Sequence, residues 1–154
     1  MKKLFVTLCF AVATICAVNA QTNDMTLGAR LGGNLEVSFQ LPVGANRVEI
    51  DGGIGLGYYD HFSLQVAASY QWLWNIAGIT GFDWYVGPGA YVGIYNFDNI
   101  GVTAGVLGQI GLEYNFNFPL QLSLDWRPMI NVLGFGDGHW GYWNGVALGV
   151  RYRF

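Results

Sequence analysis

A histidine and a serine are spaced so that they could share a proton. His61 and Ser63 are two residues apart, so in an extended strand both side chains point to the same face. A histidine base beside a serine nucleophile is the core of an acyl hydrolase, in which a carboxylate orients the histidine. However, Asp60 points elsewhere, and the next acid, Asp83, falls in a predicted connection at the other end of the strand. We therefore keep the hydrolase as an alternative only.

The sequence does not favour a metal or cofactor site. Asp60 and His61 lie in one predicted connection, and Asp137 and His139 lie in another that the predicted topology places on the opposite side of the molecule. Both cysteines fall within residues 1–20, so thiolate ligands are missing from the rest of the chain. The glycines open strands rather than helices, which excludes a dinucleotide fingerprint. We expect no metal and no cofactor.

The first twenty residues have the pattern of an export signal. Lys2 and Lys3 precede a short apolar run, and Val18-Asn19-Ala20 places small residues where a signal peptidase cuts. We predict a cleaved signal peptide over residues 1–20, export to the periplasm, and one domain over residues 21–154. Cleavage removes both lysines and no acid, which leaves five arginines and ten carboxylates.

The overall composition excludes two classes of protein. Apolar residues make up 53% of the 154 residues and charged residues only 11%, which is too apolar for a disordered chain. The formal net charge of −3 offers no basic surface for phosphates, so we expect no nucleic-acid partner.

Apolar and polar residues alternate over most of the mature chain. In residues 120–132 every even-numbered residue is apolar and five of the six odd-numbered ones are polar, which is typical of a strand with two unlike faces. The same pattern predicts eight strands in all, at residues 25–32, 34–41, 46–57, 62–76, 84–95, 102–116, 120–132 and 146–154. Pro88 and Pro128 fall inside strands, where each removes a backbone donor, and we expect local bulges or kinks there.

Every charge within these strands lies on a polar face. The ten residues are Arg30, Glu36, Arg47, Glu49, Asp51, Glu113, Asp125, Arg127, Arg151 and Arg153. The apolar faces are too extensive for eight strands to bury against one another, but a closed barrel in a bilayer turns them outward and satisfies every backbone group. We therefore predict an all-β fold, an eight-stranded antiparallel up-and-down transmembrane β-barrel with a filled polar interior.

Aromatic residues gather near the predicted strand ends, as they do at the two interfaces of a membrane. One predicted rim carries Phe39, Trp72, Trp74, Trp84, Tyr114, Phe116 and Tyr152, and the other carries Tyr58, Tyr59, Phe62, Phe97, Phe135, Trp140 and Tyr142.

The whole mature chain resembles a family of bacterial proteins. The export signal, the eight alternating strands and the closing Val150-Arg151-Tyr152-Arg153-Phe154 are similar to the small eight-stranded outer-membrane barrels of Gram-negative bacteria, such as the OmpA membrane domain and the OmpX-type barrels. The resemblance implies a location in the cell outer membrane, with outer-membrane lipid, lipopolysaccharide and the outer-membrane assembly machinery as partners. Tyr152 and the terminal Phe154 resemble the signal that this machinery reads.

The predicted interior is expected to be closed by its own side chains. Eight strands enclose a space that side chains just fill, and five inward arginines balance five inward carboxylates in a paired network. Inward glycines leave room for large neighbours such as Tyr85, Tyr91 and Trp143. We predict a plugged core without a continuous channel.

The resulting functional expectation is a monomeric integral barrel with a mainly structural or envelope role, no open pore and no enzymatic activity. Two alternatives stay open. His61-Phe62-Ser63 is similar to the His-x-Ser arrangement of barrel-shaped lipid A deacylases, which implies a lipid-modifying hydrolase. Surface adhesion or interaction through the predicted loops, which carry Asp60, Asp98 and Asp137, is the other alternative, although short loops offer little area to a partner.

Overall fold

The described part of the chain forms ten strand segments that close into a ring. The computed structural model describes residues 24–55, 63–95, 101–133 and 141–154. The segments are β1 (Thr26–Leu31), β2 (Asn34–Val43), β3 (Asn46–Gly55), β4 (Ser63–Asn75), β5 (Phe82–Tyr95), β6 (Gly101–Asn115), β7 (Leu120–Trp126), β8 (Met129–Leu133), β9 (Gly141–Tyr142) and β10 (Val146–Arg153). No helix in the described ranges is long and apolar enough to cross a membrane.

The segments pair antiparallel in chain order, and β10 pairs with β1 to complete a ring. β7 and β8 both pair with β6, and together they make one strand of the ring. β9 and β10 pair with them and together make the next strand, so the ten segments amount to eight strands. The structure thus confirms the predicted closed barrel of eight antiparallel strands.

Successive residues of each strand alternate between the two faces of the barrel wall. Along β10, from Val146 to Tyr152, every second residue is buried and those between are exposed. In β2, Val37 is 61% exposed and its neighbour Ser38 is fully buried; in β7, Leu124 is 54% exposed and Asp125 only 3%. The apolar faces therefore form the outside of the barrel and the polar faces fill its inside, as the alternation predicts.

Glycines shape two of the turns at one end of the barrel. Gly44, between β2 and β3, has a φ of +63°, and Gly78 and Gly81, between β4 and β5, have φ values of +91° and +84°. This region of backbone conformation is readily open only to glycine. We call this end the terminal rim, because it carries the turns at 44–45, 76–81 and 116–119 together with residues 24 and 154.

Two predicted connections are shorter than expected at this rim. β2 continues to Val43, and β5 begins at Phe82, so that Asp83 belongs to a strand and pairs with Glu113. The side chains of Asn75 and Asn115 both donate to the Asp83 carboxylate. The strand pairing thus extends past the alternating apolar residues, and hydrogen bonds between polar side chains accompany it there.

Pro88 leaves a gap in the ladder between β4 and β5 without a bulge. The register of the two strands is the same before and after this position. Gly87 lies so close to β4 that a Cβ at this position would be 1.7 Å from the Tyr70 carbonyl oxygen. Of the bulge or kink expected at Pro88, the structure shows no bulge, because the pairing is interrupted at Gly87 and Pro88 and resumes in the same register.

Pro128 separates β7 from β8 and lies beside the expected bulge. The last pair of β7 with β10 joins Trp126 to Val146, whereas the first pair of β8 with β9 joins Met129 to Tyr142. Between these two pairs, three residues of the strand made by β9 and β10 lie opposite two residues of the strand made by β7 and β8. The extra residue is a bulge, and it changes which side chains point inward and which point outward.

This shift explains why Trp143 is not inside the barrel, where the sequence predicted it. Its side chain is 60% exposed, and its backbone carbonyl accepts a hydrogen bond of 2.7 Å from the indole of Trp126. The predicted inward position was wrong because a strict period of two was carried across the bulge.

Aromatic side chains cluster at the terminal rim. Trp74 and Trp84 stack with ring centroids 4.5 Å apart, and Tyr114 packs edge-on against Phe116 at 4.7 Å. Of the aromatic set predicted at the opposite rim, Tyr142 is described and is 45% exposed. The others lie outside the described residues: Tyr58, Tyr59, Phe62, Phe97, Phe135 and Trp140.

Candidate functional site in the barrel interior

Nine charged side chains of the predicted network pack inside the barrel, and each is at most 6% exposed. Ion pairs divide them into two groups. The three-acid cluster comprises Arg30, Glu36, Asp51, Asp125 and Arg127, and the two-acid cluster comprises Arg47, Glu49, Glu113 and Arg151.

In the three-acid cluster two arginines hold three carboxylates. Nη1 of Arg30 is 2.8 Å from Oε2 of Glu36, and the Nε and Nη2 of Arg30 donate to Asp125. Nη1 of Arg127 is 2.6 Å from Oδ2 of Asp51, and its Nη2 donates to the other oxygen of Glu36. Glu36 therefore bridges the two guanidinium groups, an arrangement that the forked donors of arginine allow.

In the two-acid cluster each arginine has one carboxylate. Nη2 of Arg47 is 2.5 Å from Oε2 of Glu113, and Nη2 of Arg151 is 3.2 Å from Oε2 of Glu49. Arg151 also donates to the hydroxyls of two serines, at 2.9 Å and 2.6 Å. These serines are Ser38 of β2 and Ser123 of β7. This cluster is neutral and spans the barrel.

Buried glutamines complete the hydrogen bonding of the two-acid cluster. Gln40 and Gln109 both donate to the carboxylate of Glu49, and Gln71 donates to Gln109 at 3.0 Å. Sequence reasoning left these side chains out of the site, although they share the alternation of the inward charges. That alternation is the signal that could have found them.

Tyr85 connects the two clusters at the centre of the barrel. Its side chain is fully buried, and the guanidinium of Arg47 lies 4.6 Å from its ring centroid. The hydroxyl donates to Oδ2 of Asp125 at 3.3 Å. The large inward side chain predicted at this position thus lies between the clusters and contacts both.

Four apolar side chains fill the interior farther from the terminal rim. Ala67, Tyr91, Leu107 and Met129 form one cluster, and each is at most 7% exposed. Tyr91 was predicted inside, but Leu107 and Met129 were not recognised as interior residues because they break the polar character of their faces. Their inward position in the alternation is the only sequence signal for them.

Arg153 is set apart from the buried network to which the sequence assigned it. Its side chain is 22% exposed at the terminal rim, where Nη1 is 3.7 Å from Oδ2 of Asp24. Its Nη2 donates to the carbonyl oxygens of Phe116 and Phe118, at 2.6 Å and 3.2 Å. The predicted inward orientation is correct, but at the end of β10 the inward face lies at the open end of the barrel, where the side chain is partly exposed.

The two residues of the predicted assembly signal point away from the barrel interior. Tyr152 and Phe154 are 54% and 63% exposed, and their rings pack edge-on with centroids 5.3 Å apart. Both belong to the aromatic side chains of the terminal rim.

A cavity of about 260 Å³ opens at the terminal rim. Its walls include Asp83 and Asn115, and its inner end is formed by Gln40, Arg47 and Glu113. Because those last three side chains are nearly fully buried, the cavity ends on the two-acid cluster.

The residues considered for hydrolysis and metal binding are only partly described. Ser63 begins β4, and Asp83, the second residue of β5, pairs with Asn75 at the end of β4, so the two residues lie at opposite ends of the barrel. The other candidates lie outside the described residues: Asp60, His61, Asp137 and His139. Within residues 24–55, 63–95, 101–133 and 141–154, no group of three potential metal-binding side chains is assembled.

Comparison with known proteins gives one structural likeness. No family model and no curated protein matches the sequence. The crystal structure of Neisserial surface protein A (NspA) matches with a TM-score of 0.59 at 14% sequence identity, over 85% of this chain and 94% of that chain. At such low identity, the match shows that the two proteins share this fold.

Proposed function

We propose that this chain is an integral outer-membrane barrel with a mainly structural role in the cell envelope and no open pore. The observation that supports this most strongly is the orientation of the barrel wall. Val37, Leu124 and Val132 are each more than 50% exposed on its outside, whereas nine charged side chains are buried within it. Water would penalise this arrangement, but a bilayer favours it, because lipid covers the apolar face and ring closure satisfies the backbone.

Two further features support the outer membrane as the location. The aromatic side chains of the terminal rim form the kind of belt that lies at a membrane interface, which would place this rim at one of the two membrane surfaces. The structural neighbour is itself called a surface protein. Exposed Tyr152 and Phe154 would be available to the assembly machinery, and lipopolysaccharide and lipid would be the other partners of a monomeric barrel.

The filled interior supports the absence of a pore. Tyr85, Arg127 and Arg151 have side chains that are at most 1% exposed, and each binds a carboxylate on a strand that is not its neighbour. The cavity at the terminal rim ends on buried side chains. A continuous water path would require these ion pairs to open.

The first test is the state of the protein in cells. The chain should fractionate with outer membranes, and its mobility on a denaturing gel should change when the sample is boiled, because closed barrels resist detergent until heated. A soluble chain, or one with the same mobility before and after boiling, would contradict membrane insertion.

The second test is ion permeability. Purified protein reconstituted in planar bilayers should give no steady conductance of the size that an open porin gives in the same bilayers. Porin-like conductance would contradict a closed interior and leave membrane insertion intact.

Enzymatic activity is not part of this proposal. Purified barrel incubated with lipid A should release no fatty acid. Release that the Ser63→Ala variant abolishes would replace the structural role with acyl hydrolysis.

A further inference from the structure

The charges buried in the described interior do not balance. They comprise the five carboxylates of Glu36, Glu49, Asp51, Glu113 and Asp125 and the four guanidinium groups of Arg30, Arg47, Arg127 and Arg151. The remaining arginine, Arg153, binds backbone carbonyls and Asp24 at the rim. With every group ionised, the interior would hold one uncompensated negative charge, which is strongly destabilising where water is excluded.

The excess charge belongs to the three-acid cluster, because the two-acid cluster is neutral. Within it, Glu36 binds both arginines, and Asp125 receives two donors from Arg30 and the hydroxyl of Tyr85. Asp51 is different, since only its Oδ2 binds an arginine, Arg127.

The other oxygen of Asp51 is buried without a hydrogen-bond partner in the described part of the chain. A buried acceptor in this state is costly, and it marks the place where a positive ligand would be stabilised. This orphaned oxygen is an observation separate from the charge count, and both point to the same residue.

The surroundings of Asp51 favour a small positive charge. Glu49 lies on the same strand, Glu36 and Ser38 come from β2, Arg127 follows β7, and Arg30 comes from β1. On β4 the residue paired with Asp51 is Ala67, which adds no polar group. The carboxylates of Glu36 and Glu49 therefore lie near Asp51. A compact positive charge bound at Asp51 would interact favourably with all three acids.

We propose that Oδ1 of Asp51 binds one compact monovalent cation, either a proton or an alkali-metal ion, and that this charge neutralises the barrel interior. The stoichiometry follows from the imbalance of a single charge, and the compact size follows from the burial of the oxygen. If a proton is bound, the carboxyl group becomes a donor toward the neighbouring acids. If an alkali-metal ion is bound, Oδ1 of Asp51 is one of its ligands.

The two sources are distinguished on the folded, full-length mature barrel in detergent micelles at neutral pH. Infrared spectra in D₂O report a protonated carboxyl group through its carbonyl stretching band. The midpoint of heat unfolding, compared in sodium and in choline chloride at equal ionic strength, reports a bound alkali-metal ion. We expect either the band or the sodium-dependent rise in the midpoint, and we expect Asp51→Asn to abolish it.

The matched comparison is Asp51→Asn against Asp125→Asn. Asp51→Asn removes the excess charge and leaves Arg127 its pair with Glu36, so its unfolding midpoint should stay within about 2 °C of the wild type. Asp125→Asn weakens two contacts with Arg30 and one with Tyr85 and should lower the midpoint by at least about 5 °C.

Three results would overturn the proposal. One is that neither the band nor the sodium dependence is found in the wild type. Another is that the signal persists in Asp51→Asn, and the third is that Asp51→Asn is as destabilised as Asp125→Asn or fails to fold.

Discussion

At the scale of single residues, arginine makes the buried charges of this barrel possible. Arg127 and Arg30 each bind two carboxylates, and they share Glu36. A lysine ammonium has no such planar fork of donors and is more strongly hydrated. After the predicted signal peptide the sequence contains five arginines and no lysine, which agrees with a need for forked donors in a tight interior.

Removal of one interior guanidinium should therefore be severe. Arg127→Met keeps much of the side-chain length but leaves Asp51 and half of Glu36 buried without their ion pairs. We expect a loss of about 3–5 kcal/mol in the free energy of unfolding, measured by urea titration in micelles.

Arg153→Met is the matched control, because this arginine is partly exposed at the rim and its nearest carboxylate, Asp24, is 3.7 Å away. Its cost should be at most about 1 kcal/mol. Equal losses for the two variants would show that burial in the network is not what makes Arg127 important.

At the scale of strands, glycines on the inner face let neighbouring strands approach closely. Gly87 faces the carbonyl of Tyr70, and a Cβ there would be 1.7 Å from the oxygen. Gly52, in β3, has no atom within 4 Å of an added Cβ. Alanine substitutions at these two positions therefore separate the steric contact at Gly87 from the general effect of replacing a flexible glycine.

Gly87→Ala should push β4 away from β5 and lower the free energy of unfolding by about 1–3 kcal/mol, as overpacking generally does. Gly52→Ala should stay within about 0.5 kcal/mol of the wild type. Urea unfolding followed by tryptophan fluorescence measures both. A Gly52→Ala variant as unstable as Gly87→Ala would contradict the close approach seen at Gly87.

The last strand carries a prediction about assembly as distinct from stability. Phe154→Ala should reduce the fraction of protein that reaches the heat-resistant form in cells, since its exposed ring belongs to the proposed assembly signal. Refolding of the same variant from urea into micelles should be close to normal. The comparison is the ratio of heat-resistant to total protein on gels in the two settings.

Phe118→Ala serves as the control at the same rim, because Phe118 is also exposed, at 55%, but lies in a turn. It should assemble normally in cells. Equal assembly defects in both variants would show that loss of any rim aromatic has this effect, and that Phe154 has no special role.

At the scale of the whole molecule, the alternation of residues was sufficient to predict ring closure, the inward polar faces and nine of the ten network charges. It could not predict the mouth position of Arg153, because the alternation defines the face of a side chain and not its depth. It misplaced Trp143, because a bulge changes the period locally. Leu107 and Met129 were missed because an apolar residue on a polar face carries no distinguishing mark in the sequence.

The specific pairings also lay beyond the sequence. Glu36 and Arg127 are 91 positions apart, and only the stagger of the closed ring brings them together. The alternation shows that both point inward, but which carboxylate meets which arginine depends on strand register and tilt. The imbalance of the interior charges became visible only when Arg153 was found at the rim.

The most direct test of the account is to measure which side chains touch lipid. Methyl NMR spectra would be recorded on the folded barrel in lipid nanodiscs that contain a nitroxide-labelled acyl chain. We predict strong line broadening for the methyl groups of Val37 and Leu124, which face outward, and sharp lines for those of Leu107 and Met129, which are 5% exposed. Broadening of Leu107 and Met129 to the same extent, or none at Val37 and Leu124, would contradict a lipid-facing apolar surface around a filled polar interior.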